Sequence, residues 1–366
     1  MKIIHLANHV LEIGNGIVNV MVDLACGQAD AGHDVVVASA GGQYEALLAE
    51  HGVRHIQLVQ EPRPAKLLPM CWRFSRIVRA ERPDIVHAHM MTGVLIARVV
   101  RAFARGRAYR LVSTVHNEFQ RSAIVMGIAD RVVAVSAAVA ESMKRRGVPE
   151  VRLRTIANGS IGSPRTAASA ASSSTLVLER PNVMTVAGMY RRKGIDVLLR
   201  AFKPVAAQLP HAHLYIVGDG PDRAEFEALA HTLGLEGRAH FLGFRQDVPA
   251  LLEATDVFVL PSLQEPFGLV ISEAREAGCA VVASDVGGIP EAMSFGRAGV
   301  LVPPGDHQVL GRTLHALLAD DTLRNTWRER ARTDLEWLEV GRVNADYLAV
   351  YEEVLGRRTS RKPVTA

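Results

Sequence analysis

At 366 residues the chain is too long for one small core, and with 48% hydrophobic and 22% charged residues it should fold as a soluble globular protein of two domains. Three scattered cysteines, Cys26, Cys71 and Cys279, make neither a disulfide framework nor a metal pattern, and they fit a reducing cytoplasm. The formal charge is only +4, the opening residues read as too short and polar for a signal peptide, and no apolar run approaches the ~18 residues that a membrane span needs.

In chain order, Lys2–Ala7 reads as the first strand. The loop Glu12–Gly16 opens a helix that runs to Asp30, and Asp34–Ala38 is the next strand. Asp84–Ala88, Leu111–Val115 and Arg131–Val135 continue the alternation, which predicts an α/β fold with a parallel, doubly wound sheet. This half closes near Arg154–Gly159. Residues 162–175, mostly serine and alanine, read as a flexible linker. The alternation restarts with Val183–Ala187, Leu214–Val217, His240–Leu242, Val257–Leu260, Ala280–Ala283 and Gly299–Val302. An amphipathic helix, Arg342–Leu355, and a frayed tail, Arg357–Ala366, end the chain. The expected division is 1–161, 162–175, 176–341 and 342–366. Two Rossmann-like halves predict a ligand between them, at the C-terminal ends of strands.

Residues 263–273 carry the densest chemistry. They form a strand–loop–helix corner with Glu265 in the loop, Pro266 and Gly268 shaping the turn, and Glu273 inside the helix. A bared helix N-terminus offers unpaired N–H groups and a positive dipole, which suits phosphate. A second strand leads into Arg191, Arg192 and Lys193. Arginine binds phosphate bidentately and lysine supplies a compact charge, so this loop fits a diphosphate. Gly14-Asn-Gly16 begins like a dinucleotide fingerprint but lacks its third glycine, and no acid ends the second strand. That argues against a nicotinamide or flavin site, and no cofactor is expected; Gly16 still permits a close backbone approach to a ligand.

His87 and His89 share one strand face, as cleft or satisfied core histidines. A metal would need a third ligand that spacing does not reveal. His116, which leads into a polar loop, is the best catalytic candidate. Between Arg63 and Arg121 twelve Arg and Lys residues meet only Glu81, Asp84 and Glu118. This excess suggests an anionic partner surface, either membrane or nucleic acid, and no nucleic-acid recognition module is visible. Leu67–Arg79 mixes Trp72 and Phe74 with Arg73, Arg76 and Arg79, which reads as a surface helix with an apolar core face or as an interfacial helix against anionic lipid.

Taken together, Glu265-Pro-Phe-Gly-Leu-Val-Ile-Ser-Glu273, Arg191-Arg-Lys-Gly194, Val217-Gly-Asp-Gly-Pro221, Ser284-Asp-Val-Gly-Gly-Ile-Pro-Glu291 and Asn158-Gly159 resemble the signatures of retaining GT-B glycosyltransferases of family 4. The resemblance covers nearly the whole chain. It implies two Rossmann-like domains facing a cleft, with a last helix crossing back onto the first. It also implies transfer of a hexose from a nucleoside-diphosphate sugar to a hydroxyl on a glycan or glycolipid, as in lipopolysaccharide or exopolysaccharide synthesis. By the same resemblance Glu265 contacts the donor sugar, Glu273 holds the ribose, and the N–H groups of Gly268, Leu269 and Val270 receive phosphate beside Phe267. Lys193 with Arg191 or Arg192 neutralises the leaving diphosphate, Phe244 lies near the base, and His116 and Gly16 serve from the N-terminal domain. The chain departs from the family at Gly188-Met189, where Gly-Arg is usual, and at Asn15-Gly16, where Gly-Gly is usual. No Asp-x-Asp metal signature is present, so no metal is expected. A cytoplasmic enzyme, peripheral on the inner membrane face, would fit. A sugar-nucleotide epimerase on a similar scaffold is the alternative.

Overall fold

The computed structural model describes residues 1–61, 64–103, 109–117, 119–169 and 176–356. The chain divides into two compact units. Unit 1 is Met1–Asn158, Gly162–Arg165 and Glu339–Ala366, and unit 2 is Gly159–Ile161 and Thr166–Leu338.

Unit 1 is built on seven strands: β1 (Lys2–Leu6), β2 (Asp34–Ser39), β3 (Arg54–Gln57), β4 (Ile85–Ala88), β5 (Arg110–Val115), β6 (Arg131–Ala134) and β7 (Leu153–Thr155). They lie in the order β3-β2-β1-β4-β5-β6-β7, and every pairing is parallel. Both faces of the central strands are buried, as the near-continuous apolar runs Ile3-Ile4 and Val35–Val37 require of a sheet covered by helices on each side. The edge strands β3 and β7 escape a reading by apolar runs because they are short, polar and half-exposed. The strand order reverses between β1 and β4, the position at which ligands bind in open parallel sheets.

Unit 2 repeats the plan with β8 (Asn182–Val186), β9 (His213–Val217), β10 (Ala239–Gly243), β11 (Val257–Leu260), β12 (Ala280–Ser284) and β13 (Val300–Val302). Their order is β10-β9-β8-β11-β12-β13, again parallel throughout, and the reversal falls between β8 and β11. The core packs Phe202, Phe226, Leu198, Leu214 and Leu314 around these strands. The expected doubly wound α/β architecture is therefore present in both units.

The last helix, Val340–Val354, is built into unit 1. It packs on helix Gly16–Asp30 and buries Tyr347 and Tyr351 completely. Near its end, Glu353 accepts from Arg131 and Arg154 at the feet of β6 and β7. Burial raises the affinity of the Glu353 carboxyl for its proton, but the hydrogen bonds from the two guanidiniums outweigh it and hold the group below the usual carboxylate range.

The composition of 162–175 predicts an unstructured linker, and the structure corrects its first half. Pro164–Ser169 is helical. Arg165 forms a two-pronged ion pair with Asp23, Nε to Oδ1 at 2.8 Å and Nη2 to Oδ2 at 2.9 Å, and Ser163 donates to the same carboxylate at 2.7 Å. Serine and arginine thus anchor this stretch to helix Gly16–Asp30 by polar contacts that an apolar-periodicity reading does not register. Residues 170–175 and the tail 357–366 lie outside the described residues. Both ion-pair partners are more than nine-tenths buried, so removing one strands the other in a low-dielectric site. Arg165→Met is expected to cost about 3 kcal/mol in urea unfolding; a variant of wild-type stability would contradict this account of the anchor.

Candidate active site

The corner at residues 190–194 and 261–268 follows β8 and β11, the two strands that flank the reversal in unit 2. Arg191–Lys193 form one 3-10 turn, ended by Gly194 in the left-handed region at φ 67°. A Cβ there would stand 2.0 Å from the Pro261 carbonyl oxygen, so only glycine lets the two loops meet. The Arg192 carbonyl accepts from Leu263 N at 2.8 Å, tying the basic turn to the loop that holds Glu265. On its other side, Gly288 N donates to the Glu265 carbonyl at 3.0 Å, and a Cβ on Gly287 would lie 1.9 Å from that oxygen. The Gly287-Gly288 pair is therefore a wall of the loop, a role its sequence position leaves ambiguous.

This backbone framework brings Lys193 and Glu265 together, with Nζ 2.5 Å from Oε2 and both side chains largely buried. Ser262 Oγ donates to the same oxygen at 3.2 Å; no sequence motif announced it. Gly268, at φ 89°, caps helix Leu269–Glu276 and supplies no side-chain cap to its N-terminus. Leu269 and Val270 form its first turn, and Glu273 sits one turn further on, half-buried. Phe267 is 1% exposed and packs edge-on against Trp337, so its ring supports the loop from inside unit 2. Phe244 is exposed after β10. Arg191 is directed to Glu225 at 2.7 Å on the surface, whereas the Arg192 guanidinium lies over the Tyr190 ring, 5.3 Å from its centroid. Met189, where the family usually has arginine, is fully buried in the core.

In unit 1, Gly16 is the exposed first residue of its helix, capped by Asn15, whose Oδ1 accepts from Ile17 N at 3.0 Å. His116 follows β5 and is about nine-tenths buried. It is the end of a hydrogen-bonded row. His116 Nε2 lies 3.1 Å from His89 Nδ1, His89 Nε2 3.0 Å from His5 Nδ1, and His5 Nε2 2.9 Å from Gln28 Oε1. With the Gln28 oxygen accepting, neutral His5 must accept at Nδ1, His89 likewise, and His116 keeps its lone pair on Nδ1. His87 stands beside the row and bonds both ring nitrogens to hydroxyls, Thr114 at 2.7 Å and Tyr351 at 2.6 Å.

His5 is the third imidazole that the spacing of His87 and His89 did not reveal, and ligand atoms of the three lie within 4.8 Å of one another. Their geometry is that of hydrogen bonds. Two nitrogens about 2.0–2.1 Å from a tetrahedral zinc stand roughly 3.3 Å apart, more than the 3.0 Å between His5 and His89, and His87 has both nitrogens engaged. The row reads as a set of satisfied core histidines that orients His116.

Burial pushes the His5 imidazole down to about 4 and His116 to about 3, and holds His87 and His89 well below the ordinary value. Unfolded imidazoles protonate near pH 6.5. As pH falls from 6.5 toward 4, the unfolded chain takes up protons that the folded chain refuses, so stability is complete above this window and is lost within it. In urea unfolding between pH 6.5 and 5, His116→Gln should shed up to about 1.4 kcal/mol per pH unit of this slope. An unchanged slope would place the folded-state protonation of His116 in the ordinary range.

Comparison with known proteins agrees with this architecture. Residues 170–334 match the family model described as Glycosyl transferases group 1, and residues 14–160 match that of Glycosyltransferase Family 4. The lipopolysaccharide core biosynthesis glycosyltransferase LpsE of Rhizobium meliloti (strain 1021) is 36% identical over 157 residues, 43% of this chain and 45% of the relative. The chain thus spans less than half of that relative's length. The N-acetyl-alpha-D-glucosaminyl L-malate synthase of Bacillus anthracis is 26% identical over 303 residues, 79% of each chain. Among solved structures, Anabaena HepE in complex with UDP and glucose superimposes with a TM-score of 0.80 at 24% identity, covering 96% of this chain and 99% of that one, a likeness of fold. The two matched models, the parallel sheets of both units and this fold place the chain in the group 1 GT-B glycosyltransferases.

Proposed function

We propose that the chain transfers a hexose, with retention, from a nucleoside-diphosphate sugar to a hydroxyl of a lipid-linked or cell-surface glycan. The observation that carries this reading is the Lys193–Glu265 pair, held by two backbone locks three residues ahead of a helix N-terminus without a side-chain cap. Cation, carboxylate and helix end in one corner suit a sugar joined to a diphosphate. The complex of HepE with UDP and glucose, and the lipopolysaccharide role in the name of LpsE, favour the same class of donor and acceptor.

In this reading the N–H groups of Gly268, Leu269 and Val270 receive phosphate, and Lys193 with Arg191 or Arg192 meets the charge that develops on the leaving diphosphate. The sugar–oxygen bond breaks with its electron pair going to the diphosphate. Glu265 steadies the cationic sugar, and the leaving phosphate takes the acceptor's proton as the new bond forms on the same face. Glu273 holds the ribose, Phe244 lies near the base, and His116 and Gly16 are the unit 1 residues assigned to ligand contact. Side chains and the helix end supply the positive charge, so the reaction needs no metal.

We also assign the acceptor to a membrane surface. On helix Leu67–Glu81, Phe74, Met70 and Cys71 are buried, while Leu68 is 78% and Trp72 60% exposed beside Arg73, Arg76 and Arg79. Apolar tips among arginines suit peripheral binding to anionic lipid on the cytoplasmic face. The wild type should float with anionic vesicles at low salt and Leu68→Ser/Trp72→Ser should not; a wild type that fails to float would overturn the assignment.

The catalytic assignment is tested with a donor panel and glycan or glycolipid acceptors. Glu265→Ala and Lys193→Ala should each lower kcat at least about 100-fold while circular dichroism reports a folded chain. Full transfer by either variant would contradict the site. Conversion of the donor with no acceptor present, followed by NMR, would mark an epimerase instead.

A further inference from the structure

Unit 1 carries a second charged site, at the opposite edge of its sheet from His116 and Gly16. A cavity of about 770 Å³ opens where β5 and β6 begin, within the size range of small-molecule sites. Five arginines line it: Arg98 and Arg101 from helix Met91–Phe103, Arg110 at the start of β5, Arg131 at the start of β6, and Arg152 just before β7. Among the described residues only two acids share the lining, Asp130 and Glu353, and both are engaged. Asp130 pairs with Arg101 and accepts from Leu111 N at 2.9 Å, and Glu353 pairs with Arg131 and Arg154. Among the described residues, Arg98, Arg110 and Arg152 have no carboxylate partner.

Three guanidiniums from three separate elements thus converge on one concavity without a counter-charge. The fork of each matches a phosphate bidentately. Among the described residues the lining holds no aromatic ring to stack on a nucleobase. We propose that this cavity is an anion site for a ligand bearing two or more phosphate groups and no required base, either a soluble polyphosphate or a phosphorylated lipid headgroup. Such a ligand would bridge helix Met91–Phe103, the feet of β5 and β6, and the end of the last helix. The site is independent of the donor corner in unit 2 and does not rest on its assignment.

Calorimetric titration of the full chain with inorganic triphosphate, alongside flotation with vesicles with and without a phosphoinositide, tests the proposal. Triphosphate should still bind Lys193→Ala, in which the donor corner lacks its lysine, and adding Arg98→Ala/Arg152→Ala to that variant should weaken the remaining binding at least tenfold with an unchanged circular dichroism spectrum. Phosphoinositide-dependent flotation that survives Leu68→Ser/Trp72→Ser but fails in the arginine variant would identify the headgroup as the source, and binding of triphosphate alone would identify a soluble ligand. Binding that disappears in Lys193→Ala and survives in Arg98→Ala/Arg152→Ala would assign the anion to unit 2 and overturn the proposal. Absence of both triphosphate binding and phosphoinositide dependence would overturn it as well.

Discussion

The ion pair between Lys193 and Glu265 is the contact on which the candidate site depends. Neither residue could hold its place alone. A buried charge without a partner costs several kcal/mol, so the two loops must deliver both side chains together. They do so through the backbone: the Arg192 carbonyl fixes Leu263, the Glu265 carbonyl fixes Gly288, and Gly194 and Gly287 stand where any side chain would strike a carbonyl. Each lock joins loops that follow neighbouring strands, β8 with β11 where the strand order reverses and β11 with β12 beside it. The fold therefore builds the corner before any ligand arrives. In the proposed reaction, the cation and the carboxylate then divide between the leaving diphosphate and the sugar.

Unit 1 solves a different problem with histidines. His5, His87, His89 and His116 come from three adjacent strands, and burying four imidazoles is tolerable only if they stay neutral and bonded. Gln28 and Tyr351 complete the bonding from helix Gly16–Asp30 and from the last helix. The C-terminal helix is thus a structural member of the N-terminal sheet, since Tyr347 and Tyr351 close over the histidines and Glu353 clamps the feet of β6 and β7. Mutations there are expected to act on unit 1, although the residues lie at the far end of the sequence.

Much of the fold was legible because parallel sheets buried on both faces write themselves as apolar runs. Val257–Leu260 and Ala280–Ser284 could scarcely be anything but strands. β3 and β7 were missed because an edge strand needs few apolar residues. The corner at 261–268 was legible through residue type and order: a carboxylate before a glycine-capped helix and three cations after another strand. Its mutual contacts were not. That Lys193 would pair with Glu265 depends on which strands are neighbours, and the roles of Ser262 and Gly287 depend on loop conformation. His5 sat unnoticed inside a strand because its partner His89 is 84 residues away. The linker misled for a related reason: Arg165 looked like one cation among serines until Asp23 supplied its partner.

The central claim is that the corner of unit 2 binds a nucleoside-diphosphate sugar. A thermal-shift screen of UDP-, GDP- and ADP-sugars against the wild type and Glu273→Ala reads it most directly, because a ligand that binds only the folded chain stabilises it by mass action. The account predicts that one nucleotide class raises the midpoint of the wild type and loses most of that effect in Glu273→Ala. If no nucleotide sugar shifted the wild type, or if the variant responded as fully, the corner would not be the donor site.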